Sequence, residues 1–122
     1  MTAEEICHRY GISPPILEEY RAWGLCSEGK APAEEQQYND QDLERLSTMM
    51  SLHKMGFPSD EIGDYMRLLV HEPAAKADRL RILDRWRNAL LDEIHSKEKQ
   101  LQRMDYLRCE LRGSRSREGG AS

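Results

Sequence analysis

No run of about 18 consecutive apolar residues occurs in this chain, so a membrane-spanning helix is not expected. Only three cysteines are present, Cys7, Cys26 and Cys109, with no CxxC pair and no CxxH cluster. That odd, scattered count excludes a disulfide framework and a thiolate metal centre, and argues for reduced thiols. The four histidines, His8, His53, His71 and His95, share no spacing, and each reads as a surface residue. No Gly-rich phosphate loop, no nucleophile motif and no carboxylate pair with a credible pocket is visible. The chain is therefore not expected to be an enzyme, and no cofactor or metal is expected. The start, Met1-Thr2-Ala3-Glu4-Glu5, is acidic and carries no apolar core, which excludes a signal peptide. The expected location is the cytoplasm.

Basic residues are scarce where they would matter for a polyanion. Residues 1–70 hold six Lys/Arg against thirteen Asp/Glu, a net charge of -7. Residues 71–122 hold twelve against nine, a net of +3, and the whole chain stands at -4. An N-terminal domain at -7 is a poor electrostatic match for nucleic acid.

What is present is charge and helical patterning: 33% of the 122 residues are charged and 39% are hydrophobic. Thr2 and Glu5 form a capping box that starts a helix over about 3–10, and Gly11 ends it. Ser13 caps a second helix with Pro14 in its first turn, where a missing N–H costs nothing. Ile16, Leu17, Tyr20 and Trp23 give this helix its apolar face, and Gly24 ends it. Two short helices joined by a tight glycine-containing turn make a helix-turn-helix. From Leu25 to Tyr38 the chain carries Gly29 and Pro32 and few large apolar residues. That composition suits a small β-hairpin wing with Gln36-Gln37-Tyr38 as its return strand, or a plain surface loop. Asn39 caps a third helix whose apolar positions are Leu43, Leu46, Met49, Met50 and Leu52, and Gly56 stops it. Ser59 is the expected cap of a fourth helix, with Asp60 and Glu61 suited to the dipole of its first turn. Ile62, Tyr65, Met66, Leu69 and Val70 form its buried side. The methionines at 49, 50, 55 and 66 are core filler rather than a cofactor box.

After His71-Glu72-Pro73 one helix can run from about Ala75 to Arg112 with no internal Gly or Pro. At about 1.5 Å per residue it exceeds roughly 50 Å. Its heptad positions are Leu80, Arg87, Ile94, Leu101 and Arg108 at a, and Leu83, Leu90, Lys97, Met104 and Leu111 at d. Seven of these ten are apolar. A 70-residue domain cannot cover so long a stripe, so most of it must meet a partner helix. The alternatives are an isolated helix or a local αα-hairpin. Trp86 and Leu91 broaden the face and could dock the helix onto the N-terminal domain. Cys109 lies near the seam. Residues 113–122 read as a flexible tail.

The order of elements and the motifs Tyr10-Gly11-Ile12-Ser13, Trp23-Gly24-Leu25, Asp42-Leu43-Glu44-Arg45-Leu46, Leu52-His53-Lys54-Met55-Gly56-Phe57 and Glu61-Ile62 resemble the MerR family of bacterial transcription regulators, in its short form without a separate effector domain. The resemblance covers nearly the whole chain. It implies an all-α fold: a winged helix-turn-helix domain with a small β-hairpin wing over 1–72, then a long antiparallel coiled-coil dimerisation helix over 73–112. It further implies a homodimer that binds a two-fold symmetric operator in an over-long promoter spacer and distorts it so that RNA polymerase can engage, with the second helix in the major groove.

Carried over residue by residue, the contacts depart from the family pattern. Its second helix typically reads Thr-hydrophobic-Arg-Tyr-Tyr-Glu, and here the stretch is Ile16-Leu17-Glu18-Glu19-Tyr20-Arg21. The arginine position is Glu18 and the first tyrosine is Glu19. The wing arginine becomes Gln36, and a third-helix arginine becomes His53. The candidate DNA contacts are thus Ser13, Tyr20, Arg21, Lys30, Gln36, Tyr38 and Lys54. In an alternative reading, a related module binds a protein through Glu18, Glu19, Glu34 and Glu35 in place of DNA. The dimer contacts under either reading are Leu80, Leu83, Leu90, Ile94, Leu101, Met104 and Leu111.

Overall fold

A computed structural model describes residues 1–121, with side chains described for residues 1–113. Five helices follow in order: α1 (Ala3–Tyr10), α2 (Pro14–Ala22), α3 (Asp40–Lys54), α4 (Ser59–His71) and α5 (Lys76–Ala121). They divide into two units, residues 1–82 and residues 83–122. Over the tail expected at 113–122 the backbone continues α5 as far as Ala121, and the side chains of residues 114–122 lie outside the described residues.

In the first unit, α1 packs on α2, α2 on α3, and α3 on α4. The helix ends follow local chemistry. Thr2 Oγ1 accepts from the Glu5 N–H at 3.1 Å, and Gly11 closes α1 at φ 66°, a left-handed position that costs a glycine nothing. Asn39 and Asp42 form a full reciprocal capping box on α3. Ser13 does occupy the N-cap of α2, but its hydroxyl makes no capping bond. Ser59 is the first residue of α4, and the cap position falls to Pro58. The core draws on every helix of the domain: Ile6 from α1, Leu17 and Tyr20 from α2, Leu46 and Met49 from α3, Ile62 and Met66 from α4. Each such aliphatic side chain contributes about 1.5–3 kcal/mol on burial. Trp23 at the end of α2 stacks under the Arg67 guanidinium of α4 at 5.6 Å. Gly63 lies against this pair: a Cβ there would stand 3.3 Å from Arg67 Nη1 and 3.4 Å from the Trp23 ring.

The β-hairpin wing is not formed; the described residues contain no strand. Residues 23–39 are instead a chain of turns whose backbone groups find other partners. Gly29 N–H bonds Cys26 C=O, and the Glu35 and Gln36 N–H groups both bond Pro32 C=O. The Gln36 side chain takes the place of a ladder. Its Oε1 accepts from Ala31 N–H at 2.7 Å and its Nε2 donates to Gly29 C=O at 3.0 Å. Tyr38, the last residue of the expected return strand, exchanges two bonds of 2.7 Å with Met1. A side-chain amide and a neighbouring chain segment thus satisfy groups that a second strand would otherwise have to meet.

The second unit is the C-terminal part of α5. Leu83, Leu90, Ile94, Leu101, Met104 and Leu111 all stand exposed on it, from 36% at Leu83 to 72% at Leu111, and Leu80 in the preceding turns is also exposed. No helix of the described residues is long and apolar enough to cross a membrane.

Candidate nucleic-acid interface

The helix-turn-helix is positioned by a buried carboxylate. Asp42, on the first turn of α3, has no exposed surface. It accepts from Tyr20 Oη at 2.5 Å, from the Ser27 N–H at 2.9 Å and hydroxyl at 3.0 Å, and from the Asn39 N–H at 3.0 Å. Asn39 Nδ2 closes the ring by donating to Ser27 Oγ at 2.7 Å. Arg45 lies 3.9 Å from the same carboxylate and donates to Leu25 C=O at 3.0 Å. One side chain therefore joins α2, the 23–39 loop and α3. Four donors make the burial of its charge tolerable. Burial and the bond to Asp42 push the Tyr20 phenol far above its ordinary range.

This network decides where several expected contact residues go. Tyr20 is wholly buried and faces Asp42, not solvent. Gln36, 2% exposed, and Tyr38, 3% exposed, are also internal, Gln36 as the organiser of the loop. Their polar atoms or rings hold the domain together from within. Ser13 is half-buried at the start of α2, and Lys30 and Lys54 are exposed. Arg21 lies between these extremes. Its guanidinium forks onto Glu18, Nη2 to Oε1 at 2.5 Å and Nε to Oε2 at 3.1 Å, and Nη1 donates to Ala31 C=O at 3.1 Å. The bond from Arg21 holds the Glu18 carboxyl below its usual range.

Among the acidic positions, Glu18, Glu34 and Glu35 are exposed. Glu19 is turned toward α3, where its Oε1 lies 3.7 Å from His53 Nε2. Both atoms are buried and make no hydrogen bond. The position expected to grip phosphate from α3 is thus directed at a glutamate of α2. Asp42 is the residue that sequence reasoning missed. Asn39 announced a cap, but nothing local announced that Asp42 would complete it or that Tyr20 and Ser27 would share its carboxylate.

Residues 1–69 match the model for the MerR HTH family of regulatory proteins. The chain belongs to the MerR family. No curated protein and no solved structure matches it. The matched range contains α1 to α3 and most of α4, so the family assignment rests on the helix-turn-helix domain and not on α5. MerR-family members are regulators. No group of three or more His, Cys, Asp or Glu among them is placed to hold a metal ion. Cys7 is half-buried, Cys26 buried and Cys109 exposed, all as free thiols.

Proposed function

We propose that this MerR-family protein is a dimeric transcriptional regulator whose affinity for duplex DNA is weaker than its scaffold alone would supply. The family match over residues 1–69 carries the reading. In it, α2 enters the major groove, Ser13 meets the backbone at the helix start, and Lys30 and Lys54 supply phosphate contacts from the loop and the end of α3. Arg21 contributes only in competition with Glu18, which already holds its guanidinium. The apolar stripe from Leu80 to Leu111 supports an antiparallel dimer through α5, which would set the spacing of two half-sites. RNA polymerase is then engaged indirectly, through the geometry of the bound promoter.

Fluorescence anisotropy against random-sequence duplex DNA at two salt concentrations tests this. Binding that weakens steeply with salt is the expected result, because phosphate contacts release counterions. No binding at low salt overturns it.

A second reading is favoured by one observation, the pairing of Glu18 with Arg21 in a domain of net charge -7. There the domain binds a basic protein surface through Glu18, Glu34 and Glu35, with Glu19 reserved for His53, and does not bind DNA.

A further inference from the structure

A groove of about 510 Å³ opens between α1, the start of α2 and the turn at Ala33. Its walls are largely apolar: Ala3 and Cys7 on α1, Ile12 and Pro14 at the helix-turn-helix corner, Leu17 on α2, with Ala33 and the Tyr38 ring on the loop side. The volume falls in the range of roughly 300–1,000 Å³ found for small-molecule sites, so the groove itself holds only a few side chains of a larger partner. Glu4, His8 and Glu18 also line it. Glu4 makes no ion pair among the described residues, whereas Glu18 shares its charge with Arg21. Ile12, Leu17 and Tyr38 are nearly inaccessible and shape the floor, so the fold supplies the concavity without any rearrangement of the core.

We infer that this groove docks the apolar face of a lysine- or arginine-bearing amphipathic helix from a protein partner. The argument is charge complementarity joined to shape. Apolar walls reward side chains spaced at i, i+3, i+4 and i+7. A rim bearing two carboxylates, in a domain with a net charge of -7, selects a segment whose flanking residues are basic. The Glu4 and Glu18 carboxylates repel a phosphate, and the alkyl part of the wall donates no hydrogen bond to one; His8 is the one basic side chain among the described residues of the groove. The groove does not include Ser13, Arg21, Lys30 or Lys54, the residues assigned to DNA above, and its docking role does not require the domain to be a DNA binder. Because Pro14 and Glu18 are its neighbours on α2, a bound helix lies next to Ser13 and Arg21, so partner and operator exclude one another on this face.

The test uses the full chain and a fluorescent amphipathic peptide of about 16 residues, long enough to form a helix on docking. Leucines occupy one stripe and lysines the other face. Two controls accompany it: the same composition scrambled so that no stripe forms, and a lysine–glycine peptide of equal charge. The striped peptide is expected to bind at least about tenfold more tightly than either control. Ala33→Trp on one wall and Ala3→Trp on the other each fill the groove and are expected to weaken it by about tenfold, with helical content unchanged by circular dichroism. Glu4→Lys is expected to cost about threefold at low salt and nothing at high salt. Equal affinity for the scrambled peptide overturns the proposal. So does undiminished binding to both tryptophan variants, which would place the peptide on another surface such as the α5 stripe. Tight binding of the lysine–glycine peptide alone would support the glutamate-surface reading and overturn the groove.

Discussion

Tyr20 on α2 donates a 2.5 Å hydrogen bond to the fully buried carboxylate of Asp42 on α3. This bond ties α2 to α3, and the same carboxylate collects the loop through Ser27. Tyr20→Phe is expected to lower unfolding free energy by about 1.5–3 kcal/mol, the usual loss for a bond to a charged group. Asp42→Ala orphans several donors at once and should cost roughly 3–5 kcal/mol. Urea unfolding followed by circular dichroism measures both. A Tyr20→Phe variant as stable as the parent would remove this carboxylate from its central role.

Glu18→Gln should release the Arg21 guanidinium from its ion pair and take one negative charge off the α2 surface. DNA affinity at low salt is expected to rise on the order of tenfold. The slope of log affinity against log salt should steepen by about 0.9, one added phosphate contact. An unchanged slope would show that Arg21 does not reach the backbone.

Leu90 and Ile94 lie one helical turn apart on the exposed stripe of α5. Sedimentation at micromolar concentration is expected to give a dimer for the parent. The double variant Leu90→Asp, Ile94→Asp should give a monomer, because two carboxylates cannot be buried in an apolar seam. A monomeric parent would refute the coiled-coil dimer.

Burial raises the Cys26 thiol from 9.0 to about 11, and raises the Tyr38 phenol from 10.0 to about 12. Both groups hold their proton more tightly folded than unfolded. Their contribution to stability is therefore complete below about pH 9 and is lost as pH climbs through 11 for Cys26 and 12 for Tyr38. Thermal midpoints are expected to be level from pH 7 to 8.5 and to fall above pH 9. Cys26→Ala should flatten the part of that fall between pH 9 and 11. A midpoint that is flat from pH 8 to 11 would contradict this.

The Gln36 side chain bonds the backbone of Gly29 and Ala31 in place of a strand pairing. Gln36→Leu keeps bulk but removes the amide, so it should open residues 28–35 to proteolysis, with a stability loss of about 1–3 kcal/mol. Limited proteolysis read by mass spectrometry reports the site of cleavage. Gln36→Glu retains one acceptor for Ala31 N–H and is expected to be intermediate.

The helices were legible because their signals are local. Thr2 with Glu5, Asn39, and glycines at 11, 24 and 56 announce starts and stops within a few residues. The wing was misjudged for the opposite reason. Gly29, Pro32 and the Gln36-Gln37-Tyr38 stretch suit a hairpin, but Tyr38 pairs with Met1, thirty-seven residues away, and no local pattern reports that. The contact residues split along the same line. Lys30 and Lys54 are exposed, as their type suggests, while Tyr20 and Tyr38, which match the family pattern, and Gln36, which departs from it, turn inward.

By itself the sequence determined the succession of five helices, the acidic balance of the N-terminal half, the apolar stripe of α5 and the kinship of the domain. Each depends on residue type and spacing, which folding does not alter. Only the tertiary structure decided which polar groups remain free to meet a partner. Asp42 takes Tyr20 and Ser27, Glu18 takes Arg21, and Glu19 faces His53. Those pairings join segments that are adjacent in space or lie on one helix face, and a buried donor or carboxylate must find its partner inside the fold. What is left over at the surface is a few lysines, a serine and an apolar groove rimmed with glutamates.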